Sequence, residues 1–227
     1  MKTRIILSMI FVFTVLDAGT LKGHVKYDGK APKPKRLRMD ADPVCGSSHS
    51  GPVRSENFKM AKDGSMEEAL VYLKNVKYSG GAPSEPAVLD QQGCIYVPHV
   101  FGMMAGQELL IKNSDATLHN IHSMPKVNKE FNFAMPKVVK KKKASFAKSE
   151  PDPFYIKCDV HPWMKTWVLV SDHPYYAVTD EKGNFSIDNI PPGTYDVVCW
   201  QEKFGSKRAL TSKVTIGTGE TTKDFVF

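Results

Sequence analysis

Four residues with soft or borderline donor atoms are spaced so that they can surround one ion. Cys158-Asp159-Val160-His161-Pro162-Trp163-Met164 sets a thiol, an imidazole and a thioether three residues apart. A second imidazole, His119, stands upstream in Ser114-Asp115-Ala116-Thr117-Leu118-His119-Asn120-Ile121-His122. Two imidazoles and a thiolate in a trigonal plane, with a long axial thioether, suit copper in an electron-transfer site. With three ligands on one loop and the fourth from elsewhere, such a site changes little between Cu(I) and Cu(II). A lone Cys-x2-His-x2-Met also occurs by chance, with Met164 and Trp163 as core residues and His161 as a surface histidine. The upstream His-Asn pair and the strand-like flanks, Phe154 to Lys157 and Thr166 to Val170, favour the ligand reading.

His122 follows His119 by three positions, so on a strand the two side chains face opposite ways. His119 is taken as the ligand and His122 as the alternative. His99, in Val97-Pro98-His99-Val100, reads as a structural or surface histidine. Other chemistries lack their residues. A dinuclear copper centre needs a second cysteine in the ligand loop, and multicopper oxidases need paired His-x-His motifs. Structural zinc takes four thiolates or thiolates mixed with imidazoles. No phosphate-binding glycine loop, His-Glu-x-x-His or Gly-x-Ser-x-Gly motif occurs, so catalysis is not expected.

The elements that must position these residues read as short strands. Examples are Thr20 to Tyr27, Ala69 to Lys74, Cys94 to Val97, Glu108 to Lys112, Asn184 to Ile187, Tyr195 to Trp200 and Lys213 to Ile216. Turn signals such as Asp28-Gly29, Asp63-Gly64 and Pro191-Pro192-Gly193 separate them. Short strands at this spacing predict an all-β sandwich or barrel. Only Ser65 to Leu70 offers a turn of helix. The composition, 41% hydrophobic and 24% charged with a formal charge of +7, is that of a globular chain. Beyond the N-terminus no apolar run approaches the ~20 residues of a membrane span. Lys2, Arg4 and the apolar stretch Ile5 to Leu16 predict a signal peptide over residues 1–18, and hence a periplasmic or exported protein. Disulfides persist after export. With Cys158 as a ligand only one pair forms among the other three cysteines. Cys199 lies in an apolar run, whereas Cys45 and Cys94 sit beside turn residues, so Cys45–Cys94 is the pairing chosen.

The paired motifs resemble those of cupredoxins, the amicyanin-like members most closely, which share the short Cys-x2-His-x2-Met loop and a His-Asn stretch upstream. The resemblance implies a Greek-key β-sandwich over residues 66–172 with one type 1 copper held by His119, Cys158, His161 and Met164. It also implies that Asn120 ties the two ligand loops together and points its backbone N–H at the thiolate. Cupredoxins often carry Ser or Thr after the ligand cysteine. Asp159 stands there instead, which puts the tie between the loops in question. The second loop histidine of the family often reaches the surface as an electron exit, and Pro162 and Trp163 beside His161 suit that role. Residues 173–227, with Asp180-Glu181-Lys182-Gly183-Asn184 and Pro191-Pro192-Gly193-Thr194-Tyr195, resemble the carboxypeptidase regulatory-like, transthyretin-like β-sandwich. Residues 19–65 form an extension whose first strand is expected to pack with that C-terminal unit.

Lys140-Lys141-Lys142-Lys143 is the densest charge feature. It reads either as a solvated hairpin or loop, or as a docking face for an acidic redox partner. No nucleic-acid-binding module accompanies it. The expected function is therefore that of an exported blue copper protein carrying single electrons. The alternatives are a copper carrier without redox turnover, and a β-sandwich interaction module that binds no metal.

Overall fold

The computed structural model describes residues 18–227. The signal peptide expected over residues 1–18 therefore falls, all but its last residue, outside the described residues. The regular secondary structure of the described chain is almost wholly β-strand, arranged as four larger sheets. Their order in space follows from which face of each strand is apolar.

The first sheet runs Lys141–Ser145, Glu108–Asn113, Ala87–Gln92 and Ile95–Val97. The second runs Asn132–Met135, His119–Ser123, Phe154–Lys157, Lys165–Ser171 and Val100–Met104. One apolar core lies between them, with Leu89, Leu109 and Ile111 from the first sheet meeting Ile121, Ile156, Val168 and Val170 from the second. The third sheet runs Tyr176–Val178, Leu70–Lys74, Gly193–Trp200 and Leu210–Ile216. The fourth is built on Gly19–Lys26, which pairs antiparallel with Asn184–Ile190 and parallel with both Gly219–Thr222 and Phe225–Val226. A second core between these two sheets holds Leu21, Val25, Phe185 and Ile187 against Val71, Leu73, Val197 and Cys199.

The two sandwiches stack through a third core. Side chains on a strand alternate between faces, and the third sheet uses both. Val71, Leu73, Val197 and Cys199 enter the second core, while Leu70, Tyr72, Val198 and Trp200 turn the other way. There they meet Val100 and Leu169 on the outer face of the second sheet. Trp167 and Trp200 face each other with ring centroids 4.9 Å apart. Two-sided burial explains why Leu70-Val71-Tyr72-Leu73, Val197-Val198-Cys199-Trp200 and Trp167-Val168-Leu169-Val170 are unbroken apolar runs.

Two details differ from the sequence reading, and one element was not foreseen. Leu70–Lys74 pairs with Tyr176–Val178 and Gly193–Trp200, so the segment 66–172 lends its first strand to the C-terminal sandwich. Ser65 to Leu70 is not helical. Met66–Glu67 forms a two-stranded ribbon with Lys59–Met60, because Met66 must turn into the second core, and Glu68 then takes a positive φ of 61°. A five-residue helix, Pro43–Ser47, lies instead in the N-terminal extension. Asp42 caps it by accepting the Val44 and Cys45 N–H groups, and Pro43 occupies its first turn.

Candidate metal centre

His119 opens the strand His119–Ser123, and Cys158 follows the last residue of the neighbouring strand Phe154–Lys157. Hydrogen bonding between these strands brings the two residues to one end of the second sheet. The loop from Cys158 to Met164 is closed by its own backbone. The Cys158 N–H donates to the Met164 carbonyl at 3.1 Å, and the Met164 N–H donates to the His161 carbonyl at 2.9 Å. This tight turn folds His161 back over Cys158, whose Sγ accepts the His161 N–H at 3.4 Å.

The donor atoms of His119, Cys158 and His161 lie within 4.8 Å of one another, and all three residues are buried. The two Nδ1 atoms are 3.0 Å apart, and the His161 Nδ1 lies 3.8 Å from the Cys158 Sγ. Bonds of about 2.0 Å to nitrogen and 2.3 Å to sulfur, the lengths found at zinc, span such separations. Met164 is 1% exposed and belongs to the same core. His122 turns outward, as the spacing requires, and its two ring nitrogens meet Asp159 and Glu130. His99 is committed elsewhere, with Nε2 2.6 Å from Glu202.

Burial works against the Cys158 thiolate, but hydrogen bonds from His119 and from the backbone of His161, Asn120 and Val160 outweigh it and lower its pKa. The Asn120 backbone thus reaches the sulfur. Its side-chain Oδ1 accepts the Asp159 N–H at 3.1 Å, so the two loops are tied through the Asp159 backbone. The side chain of Asp159 is turned to His122, Asn132 and Lys157. The ring of Trp163 packs beside His161 at 5.0 Å, and its Nε1–H donates to the Cys94 carbonyl at 2.9 Å.

The surface exit expected at His161 is absent, since the residue is only 2% exposed. The strap of chain around helix Pro43–Ser47 covers it. Its Nε2 lies 3.1 Å from Asp42 Oδ2 and 3.6 Å from Cys45 Sγ. The strap is fastened by the Cys45–Cys94 disulfide and by His49, whose Nε2 lies 2.6 Å from the Gly93 carbonyl oxygen. Asp42 Oδ2 also accepts the Thr117 hydroxyl at 2.9 Å. On the other imidazole, Asp115 Oδ2 lies 2.8 Å from His119 Nε2, and its oxygens accept the Gly93 and Cys94 N–H groups. Burial depresses the His119 imidazole, but its bonds to Asp115 and Cys158 more than reverse this and raise it to about 8. Sequence reasoning overlooked Asp42 and Asp115. Signals were present for both: Asp42-Pro43 is a helix-start pair, and Asp115 stands four residues before His119.

Lys140 lies in a loop, and the rest of the lysine run is strand. Lys141–Ser145 is an outer strand paired to Glu108–Asn113. Lys143 pairs with Glu108, Lys142 lies over the Phe133 ring, and Lys140 donates to the Asp115 carbonyl at 3.0 Å. Among the described residues no helix is long and apolar enough to cross a membrane.

A protein-family model described as polysaccharide lyase family 4, domain II, matches residues 137–224. That description differs from the carboxypeptidase regulatory-like resemblance of residues 173–227, and the match begins well before them. No match is found among curated proteins. Among solved structures, the chain is similar to a purple cupredoxin from Nitrosopumilus maritimus, at 22% identity and a TM-score of 0.32, over 37% of this chain and 99% of that one. It is similar to a Cu(I)-form amicyanin variant at 20% identity and a TM-score of 0.34, over 46% of this chain and 100% of that one. It is also similar to a copper-containing nitrite reductase from Thermus scotoductus at 20% identity and a TM-score of 0.33, over 43% of this chain and 25% of that one.

Proposed function

We propose that this chain is an exported type 1 copper protein that passes single electrons between redox partners and catalyses no reaction of its own. The observation that carries the reading is the buried convergence of two imidazole Nδ1 atoms and one thiol from two hydrogen-bonded loops. The donor chemistry fits the ion. One thiolate, two imidazoles and a thioether are the set that holds blue copper, and they are a poor set for structural zinc. His119, Cys158, His161 and Met164 would hold one copper. Bound copper supplies a one-electron couple.

The protein's part is to keep the donors still. The backbone bonds within the 158–164 loop and the Asn120–Asp159 tie fix the cysteine against the His119 strand. Hydrogen bonds to the sulfur stabilise its charge, and such bonds tune the potential of a bound metal. A redox partner approaching this end of the sandwich meets the strap before it meets His161. The exposed lysines of 137–143 favour a partner with an acidic face.

Titration of the mature protein with Cu(II), followed by visible absorption and EPR, tests the proposal. An intense thiolate-to-copper band with narrow hyperfine splitting at one equivalent is expected. Cys158→Ser should abolish the band, and Met164→Gln should keep copper while shifting the potential. Full colour in Cys158→Ser would overturn the site. Colourless binding of Cu(I) alone would point to a carrier, and no binding to a module without metal.

A further inference from the structure

The outer nitrogens of the two ligand imidazoles meet matching arrangements. Nδ1 of each ring faces the other ring and the thiol, and Nε2 of each faces an aspartate: Asp115 Oδ2 at 2.8 Å from His119, and Asp42 Oδ2 at 3.1 Å from His161. Each aspartate is in turn fixed by two successive backbone N–H groups. Asp42 accepts from Val44 and Cys45, and Asp115 accepts from Gly93 and Cys94. The second donor in each case belongs to a half-cystine, and Cys45 and Cys94 are bonded to each other. One covalent link therefore joins the supports of both carboxylates, although they come from segments far apart in the chain.

Resting on the copper reading above, we infer that Asp42 and Asp115 are positioning residues. Each orients one ligand imidazole through its Nε2–H and strengthens it as a donor, and the Cys45–Cys94 bridge holds the two carboxylates in one frame. A carboxylate behind a ligand histidine fixes the tautomer and raises the basicity of the metal-bound nitrogen. Two anionic groups one imidazole away from the ion stabilise a divalent charge more than a monovalent one. The pair therefore favours Cu(II) over Cu(I) and draws the reduction potential down. The arrangement also fixes which nitrogen faces the metal in both rings.

The holoprotein is compared with Asp42→Asn and Asp115→Asn. Asparagine at 42 can still cap the helix through Oδ1, but it presents an amide donor where Oδ2 accepted from His161. Thr117→Val is the control, because it removes another bond to Asp42 Oδ2 while leaving the carboxylate on the imidazole. Each aspartate variant is expected to weaken Cu(II) binding tenfold or more, with a smaller loss for Cu(I). Every tenfold difference between the two raises the midpoint potential by about 59 mV. The control should stay within twofold of the parent. In the Cu(I) parent, both Nε2 protons should appear in the proton NMR spectrum as slowly exchanging signals. That readout stands even if a variant fails to fold. Variants within twofold of the parent in Cu(II) affinity, an equal shift in Thr117→Val, or rapid exchange of both protons would overturn the inference while leaving a blue parent intact. A parent that takes up no copper would instead sink the copper reading itself.

Discussion

Removing the Cys45–Cys94 disulfide should loosen the covered end of the first sandwich and leave the second untouched. The bridge closes a loop with a sequence separation of 49. In the chain-entropy description, opening a loop of that size frees the unfolded chain by about 4 kcal/mol at 25 °C. For a chain of this length each kcal/mol moves the melting temperature by roughly 2–4 °C, so Cys45→Ala with Cys94→Ala should melt about 8–16 °C lower. Alanine is preferred to serine because both positions are buried, 1% and 0% exposed, and a hydroxyl there would have to find a partner. Thermal unfolding of the apoprotein by near-ultraviolet circular dichroism reads the size of the effect. Amide exchange reads its location: protection should fall across residues 37–53 and in Ile95–Val97, and hold in Gly19–Lys26 and Asn184–Ile190. The parent protein with a thiol reductant should follow the variant. A shift under about 3 °C with strap amides still protected would refute the reasoning. The strap would then be held by the Asp42, Thr117 and His49 bonds rather than by the bridge.

Two further outcomes follow, one from the junction of the sandwiches and one from the fourth sheet. Burial pushes the Glu202 carboxyl up, but its bonds to His99 and Lys165 prevail and hold it down at about 2. Its folded pKa lies below the ordinary 4.5, so its stabilisation is complete above about pH 4.5 and is lost as pH falls toward 2. The amount is on the order of 3 kcal/mol. Glu202→Gln should therefore flatten the acid limb of the stability profile, measured by urea unfolding from pH 5 to 2.5; an unchanged limb would remove Glu202 from the account. In the fourth sheet, a Cβ added at Gly23 would run into the Lys223 carbonyl oxygen and the Phe185 ring. Gly23→Ala should cost about 1–3 kcal/mol, and a melting temperature equal to the parent's would contradict that packing.

The order of legibility in the sequence is physical. Strands with one buried face, such as Asn184–Ile190, show period-2 alternation, and the doubly buried runs around Val71, Val168 and Val198 are apolar enough to be read directly. What those runs do not disclose is which neighbour each face meets, so Leu70–Lys74 was expected in one sandwich and belongs to the other. Lys141–Ser145 hides its strand character because an outer strand in water can carry charge on both faces, and three successive lysines erase the period-2 pattern. At the candidate metal centre, His119, Cys158 and His161 announce themselves by residue type and spacing. Asp42 and Asp115 do not, since an aspartate before a proline or in a turn has a local reason to be there. Only the folded strap shows that Asp42 also serves His161, across 119 positions of chain.

The strand Gly19–Lys26 has a consequence for the order in which the molecule can be assembled. Its partners in the fourth sheet include the last strands of the chain, and Lys22–Glu220 and His24–Asp224 meet across 198 and 200 positions. Everything that makes up the first sandwich is synthesised between those two ends. The inner unit, with its strap and donor residues, is therefore complete on the nascent chain while the outer sheet still lacks its final strands. This topology predicts nested folding, with the enclosed sandwich first and the enclosing one last. Closure of the outer sheet is a late, long-range step of the slow kind, and until it occurs the opening strand waits as an unpaired edge. Deleting the strand Gly19–Lys26 or the strands Gly219–Thr222 and Phe225–Val226 should then have the same result: an intact inner sandwich carrying an outer one that cannot shut.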